Sequence, residues 1–207
     1  MKEPIKILIV DDHAVLRMGL SSLLDTKSEF KVVGDAENGE EAIAKHARLH
    51  PDVILMDLVI PGMNGVEITK RIHADDPAAK VLVLTTFATS SGIAAALEAG
   101  AKGALLKSAP FREITQAIKA IHDGRTYVAG EIERILAAEP PIPALSPRQT
   151  EILQSVVRGL SNPDIAKQLG ISLDMVKEHS AALFQKIGAA NRTEAVAIAL
   201  RKHLIRT

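Results

Sequence analysis

There is no cysteine among the 207 residues of this sequence, and no tryptophan. The first absence excludes disulfides, thiolate metal sites and cysteine nucleophiles together. It suits a reducing compartment, so a cytoplasmic location is expected. Aromatic residues supply only 2% of the chain, which leaves aliphatic side chains and alanine to fill any core. No apolar run approaches the ~20 residues that a membrane helix needs, so a soluble protein with no membrane partner is expected. The run Ile5 to Val10 meets Asp11 and Asp12 at once. It is too short for the core of a signal peptide and reads as a buried strand. Net charge is missing as well, with 25 Lys and Arg against 25 Asp and Glu.

That balance hides an asymmetry. Residues 1–143 carry 16 basic and 20 acidic side chains, whereas residues 144–207 carry 9 and 5. A mildly basic C-terminal module behind an acidic one points to nucleic acid at one end. Apolar residues make up 47% of the chain, ample for a packed core, and the length suits one or two domains.

Two hydrophobic periods alternate over the first 124 residues. Short aliphatic runs at Ile5–Val10, Lys31–Val33, Val53–Met56, Val81–Leu84 and Ala104–Leu106 are bounded by Gly, Asp, Pro or Thr and read as buried parallel strands. Amphipathic stretches at Ala14–Leu24, Gly39–Leu49, Val66–Ile72, Ser90–Ala99 and Phe111–His122 read as helices. The order (βα)5 predicts an α/β domain over residues 1–124, a doubly wound parallel sheet with helices on both faces. Gly124 and the run Glu139-Pro140-Pro141-Ile142-Pro143 then mark residues 125–143 as a linker, with room for one short helix at Glu131–Ala138. Residues 144–207 are purely helical in pattern and predict an all-α, four-helix domain. Its helices start at Ser146-Pro147, at Ser161 or Asn162, at Ser172 and after Asn191; Gly159, Gly170 and Gly188 end the first three.

In an open parallel sheet the site lies at the carboxyl ends of the strands. Those ends carry Asp11 and Asp12, Asp57, Thr85 and Lys107. Three carboxylates at one edge repel each other. A hard divalent cation such as Mg2+ relieves that repulsion, a lysine adds a mobile positive charge, and a threonine hydroxyl can bond an incoming oxygen. This is equipment for holding a phosphoryl group on a carboxylate. Each of these residues alone is more often a solvated loop residue or a helix cap; five at the correct strand ends are not.

Asp11-Asp12, Asp57, Pro61-Gly62 with Gly65, Thr85 and Gly103-Ala104-Leu105-Leu106-Lys107 resemble the receiver domain of two-component response regulators. The resemblance implies that Asp57 accepts a phosphoryl group from a cognate histidine kinase. It implies that Asp12, Asp57 and the Val59 carbonyl hold Mg2+, with Asp11 acting largely through water, and that Thr85 and Lys107 contact the phosphoryl group. His13 resembles the residue that commonly follows the acidic pair and reads as a loop residue or one that supports the site from behind its ligands, not as a catalyst. The chain departs from the family at Ala104, where an aromatic is frequent, and at Val59, where polar residues are common. It also departs at 88–92 (Ala-Thr-Ser-Ser-Gly), which lacks an acidic cluster.

Residues 145–205 resemble the LuxR-type (NarL/FixJ) helix-turn-helix output domain, through Leu145-Ser146-Pro147-Arg148, Gly159-Leu160-Ser161-Asn162, Leu169-Gly170-Ile171-Ser172, Val176-Lys177 and Lys186-Ile187-Gly188. The resemblance implies a scaffold helix at Pro163–Leu169 and a recognition helix at Leu173–Ile187 that enters the major groove of double-stranded DNA. Val176, Leu183 and Ile187 share its buried stripe, while Lys177, Glu178 and Ala181 face the groove. Asn162, Lys167, Lys186 and Arg192 are candidate contacts to the DNA backbone. His179 packs or touches phosphate rather than binding metal.

The leading expectation is a phosphorylation-controlled transcription regulator, a homodimer when phosphorylated and not a turnover enzyme. The alternative is a response regulator acting mainly through protein partners, since Glu178 and Ala181 weaken the usual DNA-reading face. An enzyme using Asp57 on a separate substrate is disfavoured, because the sequence offers no general acid beside it.

Overall fold

A computed structural model describes residues 3–86, 89–138, 145–202 and 204–205. The chain divides into two units, Met1–Pro140 and Pro141–Thr207.

In the first unit the aliphatic runs become strands. β1 (Ile5–Val10), β3 (Val53–Met56), β4 (Val81–Thr85) and β5 (Gly103–Leu106) lie inside a parallel sheet of order β2-β1-β3-β4-β5-β6. Their near-continuous Val, Ile and Leu follow from burial on both faces. β2 (Phe30–Ala36) runs along one edge and carries polar and glycine positions, so only its centre reads as a strand in the sequence. The crossovers are α1 (Ala14–Asp25), α2 (Gly39–Leu49), α3 (Gly65–Asp75), α4 (Ser90–Glu98) and α5 (Phe111–His122). Side chains of Asn38, Asn64 and Thr89 cap α2, α3 and α4 by accepting from backbone N–H groups of the first turn.

The segment expected to be a linker with one short helix, 125–143, holds that helix but packs on the first unit over its described part. β6 (Tyr127–Val128) pairs in parallel with β5, and α6 (Gly130–Ala138) follows it. Ala129 N–H donates to the Ala104 carbonyl at 3.1 Å. Ala129 and Ile132 are buried in the core of the first unit. The expected (βα)5 sheet therefore gains a sixth strand. The physical reason is the exposed edge of β5: its unpaired backbone groups take up Tyr127 and Val128, and Ile132 then has an apolar surface to cover. Gly103 permits the pairing, since a Cβ there would lie 2.1 Å from the Tyr127 carbonyl oxygen. The proline-rich stretch 139–143 and position 88 lie outside the described residues.

The second unit is helical: α7 (Pro147–Val157), α8 (Asn162–Leu169), α9 (Leu173–Ile187) and α10 (Arg192–Arg201). Ser146 with Gln149 and Ser161 with Asp164 form reciprocal capping boxes. Gly170 and Gly188 end α8 and α9 in the left-handed conformation that glycine adopts without strain. Ile152, Leu153, Val156, Ile165, Val176 and Leu183 form its core. No helix among the described residues is long and apolar enough to cross a membrane.

Candidate functional site

Four adjacent strand ends, those of β1, β3, β4 and β5, build the acidic pocket. Asp57 follows β3, and its backbone N–H donates to the Val10 carbonyl of β1 at 2.9 Å, so the two strand ends are tied. Asp11 is held by its own N–H to the Ala36 carbonyl, at 3.0 Å. Lys107 follows β5 and donates its backbone N–H to the Thr85 carbonyl, at 2.9 Å. Asp11, Asp57 and Thr85 are all buried. Gly65 opens α3 against the back of the pocket, and a Cβ there would lie 2.0 Å from the Asp57 carbonyl oxygen. Only glycine lets α3 approach the phosphoacceptor candidate this closely.

The electrostatics of the pocket are unbalanced. Lys107 Nζ lies 2.6 Å from Asp11 Oδ2 and 2.7 Å from Asp57 Oδ2. One ammonium is thus shared by two carboxylates, and Asp12 stands beside them. Burial penalises the Lys107 charge, but the hydrogen bonds and charges of Asp11 and Asp57 outweigh it and hold the ammonium above the ordinary lysine range. Burial pushes Asp57 up, and Lys107 only partly offsets that. The two upward shifts are compatible because two acids compete for one base: the lysine is over-supplied with anions and Asp57 is under-supplied with cations.

Such a pocket fits a second cation. Ligand atoms of Asp11, Asp12, His13 and Asp57 all lie within 4.8 Å of one another. Asp12 Oδ1 is buried, accepts no hydrogen bond among the described residues and faces His13 Nδ1 at 2.7 Å. Val59, whose carbonyl was the remaining expected ligand, follows in the loop, and its N–H donates to Asp57 Oδ1 at 3.3 Å. Asp11, Asp12, Asp57 and Lys107 are therefore brought together, with Thr85 tied to Lys107 through its backbone carbonyl. Ala104 lies fully buried, paired with Val128 of β6.

In the second unit α9 presents one face to solvent. Lys177, Glu178 and Ala181 are exposed, and Lys177 Nζ pairs with Asp174 at 3.0 Å. Lys167 is exposed on α8; Asn162 and His179 are half-buried. Two candidates point elsewhere. Lys186 Nζ reaches Gln149 Oε1 of α7 at 3.5 Å, and the Arg192 guanidinium donates to the Val156 and Leu160 carbonyls. Leu173 and Met175, exposed at the start of α9, were not singled out in the sequence. Their helical spacing ahead of Lys177, Glu178 and Ala181 is the signal that could have placed them on or beside the same face.

Residues 7–119 match the family described as response regulator receiver domain, and residues 143–199 match the bacterial regulatory proteins of the luxR family. The chain is 37% identical over 209 residues to the transcriptional regulatory protein LiaR of Bacillus subtilis (strain 168), covering 97% of this chain and 99% of that protein. It is 38% identical over 206 residues to the response regulator protein VraR of Staphylococcus aureus (strain COL), with coverage of 97% and 99%. Its fold is similar to the crystal structure of the response regulator ChrA of a heme-sensing two-component system, with TM-score 0.58, 38% identity and coverage of 99% and 100%.

Proposed function

The chain belongs to the two-component response regulators that join a receiver domain to a LuxR-type DNA-binding domain, and on that premise we propose that Asp57 is its phosphoacceptor and α9 its DNA-reading helix. It is a DNA-binding transcriptional regulator controlled by phosphorylation. The observation that carries the site assignment is Asp57 itself, buried at the end of β3 with Lys107 Nζ 2.7 Å from its Oδ2.

The transfer balances simply. A carboxylate oxygen of Asp57 attacks the phosphorus of a phosphohistidine on the cognate kinase. The P–N bond breaks, the imidazole leaves as the neutral ring with one proton taken up from water, and an acyl phosphate remains on Asp57. Asp57 suits this because burial makes its carboxylate more basic than usual. Lys107, shared at rest between Asp11 and Asp57, can turn to a phosphoryl oxygen, and the Thr85 hydroxyl can donate to another. Asp12, Asp57 and the Val59 carbonyl would hold Mg2+, with Asp11 acting through water; the ion supplies charge neutralisation for the phosphoryl oxygens. The chemistry proposed is one phosphoryl group gained and lost at Asp57, not turnover of a separate substrate.

Phosphorylation is proposed to favour a homodimer in the cytoplasm, because two linked half-site readers bind double-stranded DNA with avidity. Lys177, Glu178 and Ala181 of α9 serve the groove, and Asn162, Lys167 and His179 the backbone. With acetyl phosphate and Mg2+, sedimentation should show more dimer and DNA titration a tighter complex, the two rising together. Equal affinity with and without the phosphodonor would defeat this reading.

Glu178 offers a separate test. A carboxylate on the groove face can accept from a cytosine amino group, or it can merely repel phosphates. Base reading predicts that Glu178→Ala relaxes preference at one base position and costs ~1–3 kcal/mol on the best site. A uniform gain in affinity across a panel of single-base variants at fixed salt would eliminate it.

A further inference from the structure

The exposed residues in the first two turns of α9 are Leu173, Asp174, Met175, Lys177 and Glu178. That surface is poor in hydrogen-bond donors: it holds two carboxylates, one ammonium and two large apolar side chains, and no Arg, Asn or Gln. The one ammonium is engaged, since Lys177 Nζ pairs with Asp174 Oδ1 at 3.0 Å. Purines show acceptors in the major groove, and bidentate donors on Arg, Lys, Asn or Gln read them. Pyrimidines show what suits this surface: cytosine an amino group for a carboxylate, thymine a C5-methyl group for an apolar side chain. Met175 is placed for the second. It is 44% exposed, so the core does not use it; the buried stripe of α9 is Val176, Ser180, Leu183 and Ile187. Its backbone is fixed at the helix start, where its N–H donates to Ser172 Oγ at 3.2 Å. Glu178 follows three residues on, so the two side chains are neighbours on one side of the helix, about 4.5 Å apart along its axis. Successive bases of one strand are ~3.4 Å apart.

We propose that Met175 sets sequence preference by reading a thymine through its C5-methyl group, beside the base pair that Glu178 faces. The inference rests on the reading of α9 as the DNA-reading helix. A thioether on an unbranched stem adapts its shape to close on a methyl group, and the contact takes apolar surface of both partners out of water. Leu173 is similarly exposed. It lies two residues from Met175, about 160° round the helix axis, on the other flank of α9.

The test begins with duplex DNA selected from a random library by the full-length protein, phosphorylated with acetyl phosphate and Mg2+. Each thymine of one selected half-site is then replaced in turn by deoxyuridine, which removes the C5-methyl group and nothing else. Binding is titrated at fixed salt for the wild type, Met175→Ala and Leu173→Ala. At one thymine the replacement should weaken the wild type about fourfold, the value of one buried methyl group. Met175→Ala should bind thymine and deoxyuridine equally at that position, whereas Leu173→Ala should keep the wild-type ratio. Alanine is the strongest helix former and the position is exposed, so the thermal midpoint of Met175→Ala should not fall. Equal deoxyuridine losses in the wild type and Met175→Ala, the absence of any thymine whose methyl group matters, or coupling to Leu173 in place of Met175 would each overturn the proposal. Those outcomes leave α9 standing as the DNA-reading helix. A phosphorylated wild type that selects no sequence at all would defeat that reading, and the proposal with it.

Discussion

Asp57→Asn should reduce phosphoryl incorporation from acetyl phosphate to background while leaving the receiver folded. The amide cannot form an acyl phosphate, and the neighbouring carboxylates cannot substitute. Once residue 57 is an amide, Asp11 no longer shares the Lys107 ammonium, 2.6 Å away, and is held by it more firmly, and Asp12 lies at the partly exposed lip of the pocket. The same substitution has a second, independent readout. Burial raises the Asp57 carboxyl above its ordinary value, so the folded state binds its proton more tightly than the unfolded chain does. Stability contributed by this group is therefore present at low pH and is lost as pH rises through the interval between the unfolded and folded pKa values. At neutral pH without metal, the charged carboxylate works against folding, and Asn removes that charge at nearly constant shape. The variant should unfold at a temperature equal to or above that of the wild type in EDTA, with the difference shrinking as pH falls. Phosphorylation that survives in Asp57→Asn, or that proceeds fully in EDTA, would remove Asp57 from the centre of the mechanism.

The pocket was legible because strand ends are legible. A run such as Val53–Met56 has one reading, a strand buried on both faces, and the residue that follows it must stand at the carboxyl edge. The same logic placed Asp11, Thr85 and Lys107. It failed where the signal is short. Tyr127–Val128 is too brief to show a period, and Gly124 before it and the prolines after it mark a boundary more loudly than two residues can mark a strand. What recruits β6 is the free edge of β5, a property of the assembled sheet. Charge misleads in a comparable way. A basic residue in a DNA-binding module invites a phosphate contact, but sequence does not say which long side chains reach inward. Lys167 and Lys177 are exposed, whereas Lys186 and Arg192 turn to acceptors inside their own bundle.

Arg192 therefore has two physical roles in competition, and its replacement should have the largest effect in the DNA-binding unit. Its guanidinium spans from the start of α10 to the Val156 carbonyl near the end of α7, at 3.2 Å, and to the Leu160 carbonyl just before the cap of α8. A cation at a helix C-terminus is favoured by the helix dipole, and a charged donor strengthens each bond. The Val156 carbonyl also accepts from Gly159 N–H, so it keeps a partner if Arg192 is lost. Leu160 is the more exposed to loss. Arg192→Ala should cost about 2 kcal/mol through that carbonyl and the lost packing of the side-chain stem, a large part of what a domain of this size has to spare. The turn between α7 and α8 would loosen, and with it the seat of α9. DNA affinity should then fall together with the melting temperature of residues 141–207, while the dependence of binding on salt keeps its slope. A phosphate contact makes the opposite pattern: an unchanged melting temperature and a salt slope smaller by about one ion. The two measurements together decide whether this arginine holds the reading helix in place or holds the DNA.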